Sequence, residues 1–218
     1  MNELINEKII AIDGPAGSGK STIAKALAKK LNLEYLDTGA MYRAVAFVSI
    51  KKNIEIIDEK QVLKIAKEMN FNFEDGICLV NGYNATKEIR GPEVTRVVSA
   101  VAAMPTVRQE MVDRQRLWVE KKGGGVIEGR DIGSVVFPKA KVKVYLTASE
   151  EVRAERRIEQ EEALDASKVA DSIRKRDEAD IGRSTSPLVR SEGSIEIDTS
   201  LMGVEETIKE ILGLFKWN

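Results

Sequence analysis

The residues best equipped for chemistry stand together near the start of the chain: Gly14-Pro15-Ala16-Gly17-Ser18-Gly19-Lys20-Ser21, followed by Thr22. They fit G-x-x-x-x-G-K-[ST] without a mismatch, between the apolar run Lys8 to Asp13 and the helical pattern Thr22 to Ala28. Glycines at 14, 17 and 19 free the backbone for conformations in which successive N–H groups converge on one anion. Lys20 adds a cation within reach of β- and γ-phosphates, and Ser21 offers a hydroxyl to Mg²⁺. The helix that begins near Lys20 aims its positive dipole end at the same spot. The plainer reading, a Gly-rich turn with no ligand, is disfavoured because the whole pattern falls in the right context.

Arginines are the second chemical signal. Arg43, Arg108, Arg130, Arg153, Arg156, Arg157, Arg176 and Arg183 fall at loop and helix ends. Phosphoryl transfer between two anionic substrates needs that kind of equipment, because the protein's task is to position groups and neutralise charge over several oxygens. For Arg153, Arg156 and Arg157 a solvated helix face is an equal alternative. A GTPase should also carry D-x-x-G and [NT]-K-x-D; Thr86-Lys87-Glu88 is the nearest approach and lacks the aspartate. Histidine is absent and Cys78 is the only cysteine, which excludes Ser-His and Cys-His catalysis, cysteine-based zinc clusters and an intramolecular disulfide. Any metal must be held by oxygen.

The elements that position these groups follow from periodicity. The length of 218 residues suits one α/β domain or a core with a small inserted lobe. Formal net charge is −1, so there is no global basic field of the kind nucleic-acid binding requires. No apolar run approaches a membrane span and no leader pattern opens the sequence, so a cytoplasmic protein is expected. Ile23, Leu27 and Leu31 mark a helix that Asn32 can end, and Leu33 to Leu36 read as a second strand delivering Asp37 to Arg43 to a sheet edge. Met41 to Ile50, then Val62 to Met69, predict helices. Phe71 to Glu74 and Ile77 to Val80 flank Asp75-Gly76, a hairpin signal, and Asn81-Gly82 supplies another turn. This antiparallel patch suggests an inserted lobe. Val94 to Val101 predict a further helix, and Pro105 starts one carrying Val107, Met111 and Trp118 inward. Strands are predicted at Val126-Ile127, Lys141 to Leu146 and Ser194 to Asp198. Thr147 to Glu150 has capping-box spacing for a helix through Arg156; another holds Val169 and Ile173, and a closing one runs Val204 to Phe215 with Trp217 nearby. The sum is a parallel sheet with helices on both faces.

At this point the residues carry a resemblance. Ile12 to Thr22, Leu36-Asp37-Thr38-Gly39-Ala40-Met41-Tyr42-Arg43, Ser99 to Ala102 with Pro105 and Val107-Arg108, Glu128-Gly129-Arg130-Asp131-Ile132-Gly133 through Pro138, and Arg176-Asp177 with Asp180, Arg183 and Pro187-Leu188 resemble bacterial cytidylate kinases, in that family's order. The resemblance implies a P-loop, doubly wound α/β fold with a short lid and an inserted monophosphate-binding lobe. It places residues 1–36 and 97–218 in the core, the lid at about 157–168, and 37–96 in the lobe. It also implies transfer of the γ-phosphoryl of ATP to CMP or dCMP with Mg²⁺, by a monomer. By position, Thr38, Arg43 and Arg130 hold the acceptor phosphate; Ser99, Arg108 and Asp131 read the cytosine edge; Arg176, Asp180 and Arg183 hold ribose and phosphates. The loop from Gly14 to Thr22 holds ATP, joined by Arg153 and Arg157 beside an acidic lid around Glu159 to Leu164. Lys20, Arg130, Arg176 and Arg183 then form the catalytic set. Relatives often carry Asp where Glu128 stands, which changes the reach of the side chain but not its charge. Read from the residues alone, Ser99 could be a packing residue, Asp131 a helix cap and Asp180 a helical partner of Arg176. A kinase for another acceptor, such as UMP or shikimate, and a non-catalytic nucleotide-binding regulator stay open beside the CMP reading.

Overall fold

A computed structural model describes residues 3–74, 76–161 and 166–214. In chain order the elements are α1 (Glu3–Asn6), β1 (Ile9–Asp13), α2 (Lys20–Leu31), β2 (Tyr35–Asp37), α3 (Thr38–Lys51), α4 (Glu59–Glu68), β3 (Phe71–Glu74), β4 (Ile77–Val80), β5 (Tyr83–Asn84), α5 (Pro92–Ala103), α6 (Pro105–Lys122), β6 (Gly125–Gly129), β7 (Val142–Thr147), α7 (Glu150–Glu161), α8 (Ala166–Ile181), β8 (Ile195–Asp198) and α9 (Val204–Gly213). Two compact units result, one formed by residues up to Leu36 with those from Val119 onward, the other by Asp37–Trp118. Residues 97–118, expected in the core, group with the second unit because α5 packs its buried Val94, Val98 and Val101 face in contact with α3.

The first unit is built on a five-stranded sheet of order β2-β6-β1-β7-β8. β1 runs parallel to β6, with Ile10 opposite Val126, and to β7, with Ile12 opposite Val144; β7 is parallel to β8. Every residue of β1 and β6 is buried, so both faces of the central strands are covered, as the apolar runs of parallel strands demand. Ile23 and Leu27 of α2 and Ile208 and Ile211 of α9 share one core with Ile10, Ile12, Val144 and Leu146. Asn32 ends α2 in the left-handed region (φ 52°), its N–H turned back to the Ala28 and Lys29 carbonyls. Parallel strands put Asp13, Gly129, Thr147 and Asp198 at one edge of the sheet, and the candidate loops leave from there.

One cap differs from expectation. Ser149, not Thr147, caps α7, its hydroxyl accepting from the Val152 N–H at 3.3 Å; Thr147 is the last residue of β7, opposite Asp198. Between Asp131 and Phe137 the chain makes a π turn, Ile132–Val136. The lid stretch Glu162, Ala163 and Leu164 lies outside the described residues, as do Phe215 and Trp217.

In the second unit α3 is buried on nearly every side, with Ala40, Ala44, Val45 and Ala46 fully enclosed. α4 is capped by Asp58, whose side chain accepts from the Gln61 N–H, and buries Val62, Ile65 and Ala66. β3, β4 and β5 form an antiparallel sheet. Asn81 (φ 51°) and Gly82 (φ 80°) make its two-residue turn, the left-handed pair such hairpins require. Asp75 lies outside the described residues. Cys78 is a packing residue, and burial pushes its thiol up to about 11. Val107 and Met111 of α6 are fully buried as expected, with Val112, Gln115 and Val119 also enclosed, whereas Trp118, expected inward as well, is only half-buried. Among the described residues no helix is long and apolar enough to cross a membrane.

Leu27 is fully buried where α2 meets the sheet. Leu27→Ala should lower unfolding free energy by about 2–5 kcal/mol, read as a shifted urea midpoint at unchanged m-value.

Candidate active site

The glycine loop is shaped by close approach. Gly14 has φ +151°, and a Cβ there would stand 2.0 Å from the Leu146 carbonyl oxygen of β7. Gly19 (φ 85°) precedes α2 and puts no side-chain cap on the helix, so its first-turn N–H groups remain for a ligand. Lys20 is buried, its Nζ donating to the Pro15 carbonyl at 2.6 Å and to Ser18 Oγ at 3.3 Å. Burial, helped by the nearby guanidinium of Arg130 and opposed by Glu128, pushes its amine down to about 7. Thr22 is exposed one residue beyond Ser21.

Ser21 meets a partner that sequence reasoning did not include in the site. Its hydroxyl donates to Glu128 Oε2 at 3.0 Å, while the Tyr35 hydroxyl donates to Glu128 Oε1. An acid closing a buried strand was the available signal. A hydroxyl beside a carboxylate is an oxygen donor set that suits Mg²⁺. Among the described residues no group of three or more acidic, His or Cys side chains could cage a metal. The fit is therefore to a cation that keeps water and substrate phosphates among its ligands.

Farther along the same sheet edge, buried Asp13 accepts the N–H groups of Ile132 (2.8 Å) and Gly133 (2.7 Å). Burial outweighs those two bonds and raises its carboxyl to about 6. Asp13 thereby anchors the turn that follows Arg130-Asp131. Asp131 is buried and precedes the π turn without side-chain capping, so the cap reading does not hold. Arg130 donates through Nε to Asp180 Oδ2 at 2.8 Å, and Arg183 through Nε to the Asp180 carbonyl at 3.2 Å. Burial alone would raise Asp180, but Arg130, Arg176 and Arg183 prevail and hold its carboxyl below the usual range. Burial alone would lower Arg130, but Asp180, joined by Asp177 and Glu128, raises it.

α7 does not present its arginines as a solvated face. Arg153 is buried, with Nη1 donating to the Ala16 carbonyl at 3.0 Å and to Asp177; Asp177 Oδ1 in turn accepts the Ala16 N–H at 2.9 Å. Arg156 donates to the Thr199 hydroxyl (2.9 Å) and carbonyl (2.7 Å), and Arg157 is half-buried.

In the second unit Thr38 is buried at the start of α3, behind Asp37, whose side chain accepts the Ala40 N–H (2.9 Å) and pairs with Arg90 (2.7 Å). Arg43 is buried and donates to the Ile89 carbonyl (3.1 Å) and Thr95 Oγ1 (2.9 Å). Arg108 is buried too, donating to the Ala102 carbonyl at 3.0 Å with its guanidinium 5.3 Å from the centre of the Tyr42 ring. Arg43 and Arg108 are thus held by carbonyls and an aromatic face within their own unit. Ser99 is half-buried on α5, not packed in the core. Tyr42 and Arg90 are contributors that the arginine pattern did not single out.

Comparison with known proteins adds a family. The cytidylate kinase family model matches residues 10–217. The cytidylate kinase of Bacillus thuringiensis (strain Al Hakam) is 42% identical over 213 residues, 94% of each chain. The bifunctional pantoate ligase/cytidylate kinase of Prochlorococcus marinus (strain MIT 9312) is 42% identical over 217 residues, which cover 95% of this chain but only 42% of that protein. In fold alone, the chain is similar to the crystal structure of an uncharacterized protein from Eubacterium ventriosum ATCC 27560, with a TM-score of 0.51, 16% identity, and coverage of 97% of this chain and 100% of that one.

The state of Lys20 has a measurable consequence. An amine lowered from 10.5 to about 7 penalises folding fully below pH 7, and the penalty fades as pH rises toward 10.5. Lys20→Met should therefore stabilise the ligand-free protein at pH 7 and below. In denaturant titrations across pH, that gain should shrink steadily toward pH 10.5.

Proposed function

The chain belongs to the cytidylate kinase family, and we infer from that premise that it transfers the γ-phosphoryl group of ATP to CMP or dCMP, releasing ADP and CDP or dCDP. One observation carries the chemistry. Burial first, and then Arg130 and Arg176, act to lower the Lys20 amine against Glu128 and Asp177, so three cations crowd one region of a water-poor site and their repulsion is only partly offset. A polyanion between them turns that repulsion into attraction. A transferring phosphoryl group is such an anion, with charge spread over several oxygens.

The roles follow from the residues. The loop Gly14 to Ser21 and the first turn of α2 take the ATP phosphates, with Lys20 moving from the Pro15 carbonyl to their oxygens. Ser21 holds Mg²⁺, oriented by Glu128, and the metal when bound screens the phosphate charge. Arg130 and Arg183, aligned by Asp180, screen the migrating group and the acceptor together with Arg176. Thr38 and Arg43 bind the CMP phosphate; Ser99, Arg108 and Asp131 read its base. An oxygen of the CMP phosphate attacks the γ-phosphorus in line, and the bond to the β-phosphate bridging oxygen breaks. No strong base is needed, because that oxygen is already ionised near neutral pH.

Base choice rests on polarity. Cytosine presents a 4-amino donor beside the N3 acceptor, matching a carboxylate next to Arg; uracil reverses both groups. The same proposal takes the protein to act in the cytoplasm as a monomer.

The direct test is ADP formation from Mg-ATP with CMP, dCMP, UMP, AMP or shikimate offered separately. CMP and dCMP should stimulate most, and Asp131→Ala should lower kcat/KM for CMP by roughly ten- to a hundredfold. Stronger stimulation by another acceptor would overturn the reading.

A further inference from the structure

We propose that Asp177 and Arg153 are positioning residues that lock the Ala16 peptide groups from both sides, committing the Ala16 N–H to the protein and turning the Gly17 N–H toward phosphate. The proposal rests on the reading that this loop binds ATP.

The geometry is a chain of opposed bonds. Asp177 Oδ1 accepts the Ala16 N–H at 2.9 Å. In a trans peptide the preceding carbonyl points the opposite way, and the Pro15 carbonyl is where Lys20 Nζ rests, at 2.6 Å. One peptide plane is thus gripped by a carboxylate on one edge and by Lys20 on the other. The next plane is treated likewise: the Ala16 carbonyl accepts from Arg153 Nη1 at 3.0 Å, so the Gly17 N–H faces away from Arg153. The grip is closed by the Arg153–Asp177 pair, each residue about nine-tenths buried. It is also close. At Gly17 (φ +76°) an added Cβ would lie 2.8 Å from the Arg153 carbonyl oxygen, so α7 abuts the loop itself.

Two successive helices therefore hold the loop, α7 through Arg153 and α8 through Asp177. Asp177 also bears on Lys20, acting to raise its amine. Substrate contact is not required of either residue. Their effect is to set one orientation of the loop before ATP arrives, so that ATP does not have to impose it. Such a device should act on the donor and leave the acceptor alone.

Two measurements test this. In the nucleotide-free wild-type protein the Ala16 amide hydrogen should exchange slowly, because a buried carboxylate holds it; exchange as fast as in an open loop overturns the proposal. Calorimetric binding of ATP, with CMP absent, is then compared for wild type, Asp177→Ala, Arg153→Met and the double variant. Each single variant leaves a buried charge unpaired, whereas the double removes both charges and should fold. It should bind ATP about tenfold more weakly, with CMP affinity within about twofold of wild type. Its loss should be smaller than the product of the two single losses, as expected for residues acting as one unit. A folded double variant that binds ATP like wild type, or that loses ATP and CMP equally, overturns the proposal. Should no variant fold, the amide exchange decides alone. Wild-type ATP binding without CMP-stimulated ADP release would remove CMP as acceptor and leave this inference standing.

Discussion

Holding cations where water has been removed is the constraint that organises the first unit. A buried cation costs several kcal/mol unless opposite charge or hydrogen-bond acceptors face it. Lys20 faces the Pro15 carbonyl and Glu128; Arg130 and Arg183 share Asp180; Arg153 takes Asp177. Glu128 comes from β6, and Asp177 and Asp180 both come from α8, so the charge balance also dictates which strand ends and helices must meet. The balance is incomplete at Lys20, whose amine remains depressed. In the function proposed above, an anionic substrate completes it.

The second unit also encloses cations. Among their contacts, Arg43 donates to the Ile89 carbonyl and the Thr95 hydroxyl, and Arg108 donates to the Ala102 carbonyl while its guanidinium lies over the Tyr42 ring. Asp37 serves the start of α3 and pairs with Arg90.

The sequence made some of this legible and hid the rest for physical reasons. The loop from Gly14 to Ser21, the buried strand before it, Asn32 as helix terminator and the Asn81-Gly82 turn are local patterns whose meaning depends on neighbours a few residues away. Asp177 binds a residue 161 positions earlier, Glu128 one 107 positions earlier, and Tyr35 reaches 93 positions ahead. No spacing rule reports on such pairs. Arg153 shows a second limit: composition and helical phase gave its type, but its direction is set by where α7 crosses the loop. Trp118 shows a third, because a helix with buried Gln115 does not advertise its inner face by hydrophobicity. The unit boundary followed the same pattern, since α5 and α6 look like core helices until α3 is seen beneath α5.

On the proposal that Lys20 meets the ATP phosphates, an amine lowered to about 7 makes nucleotide capture a proton-coupled event. Burial and the neighbouring guanidinium of Arg130 favour the uncharged amine of Lys20, while a phosphate beside it favours the ammonium form. Loading ATP then draws protons from the medium, and the heat of binding takes on the ionisation enthalpy of whatever buffer supplies them. The same linkage makes nucleotide affinity sensitive to small changes of acidity in the surroundings, in a protein without a single histidine.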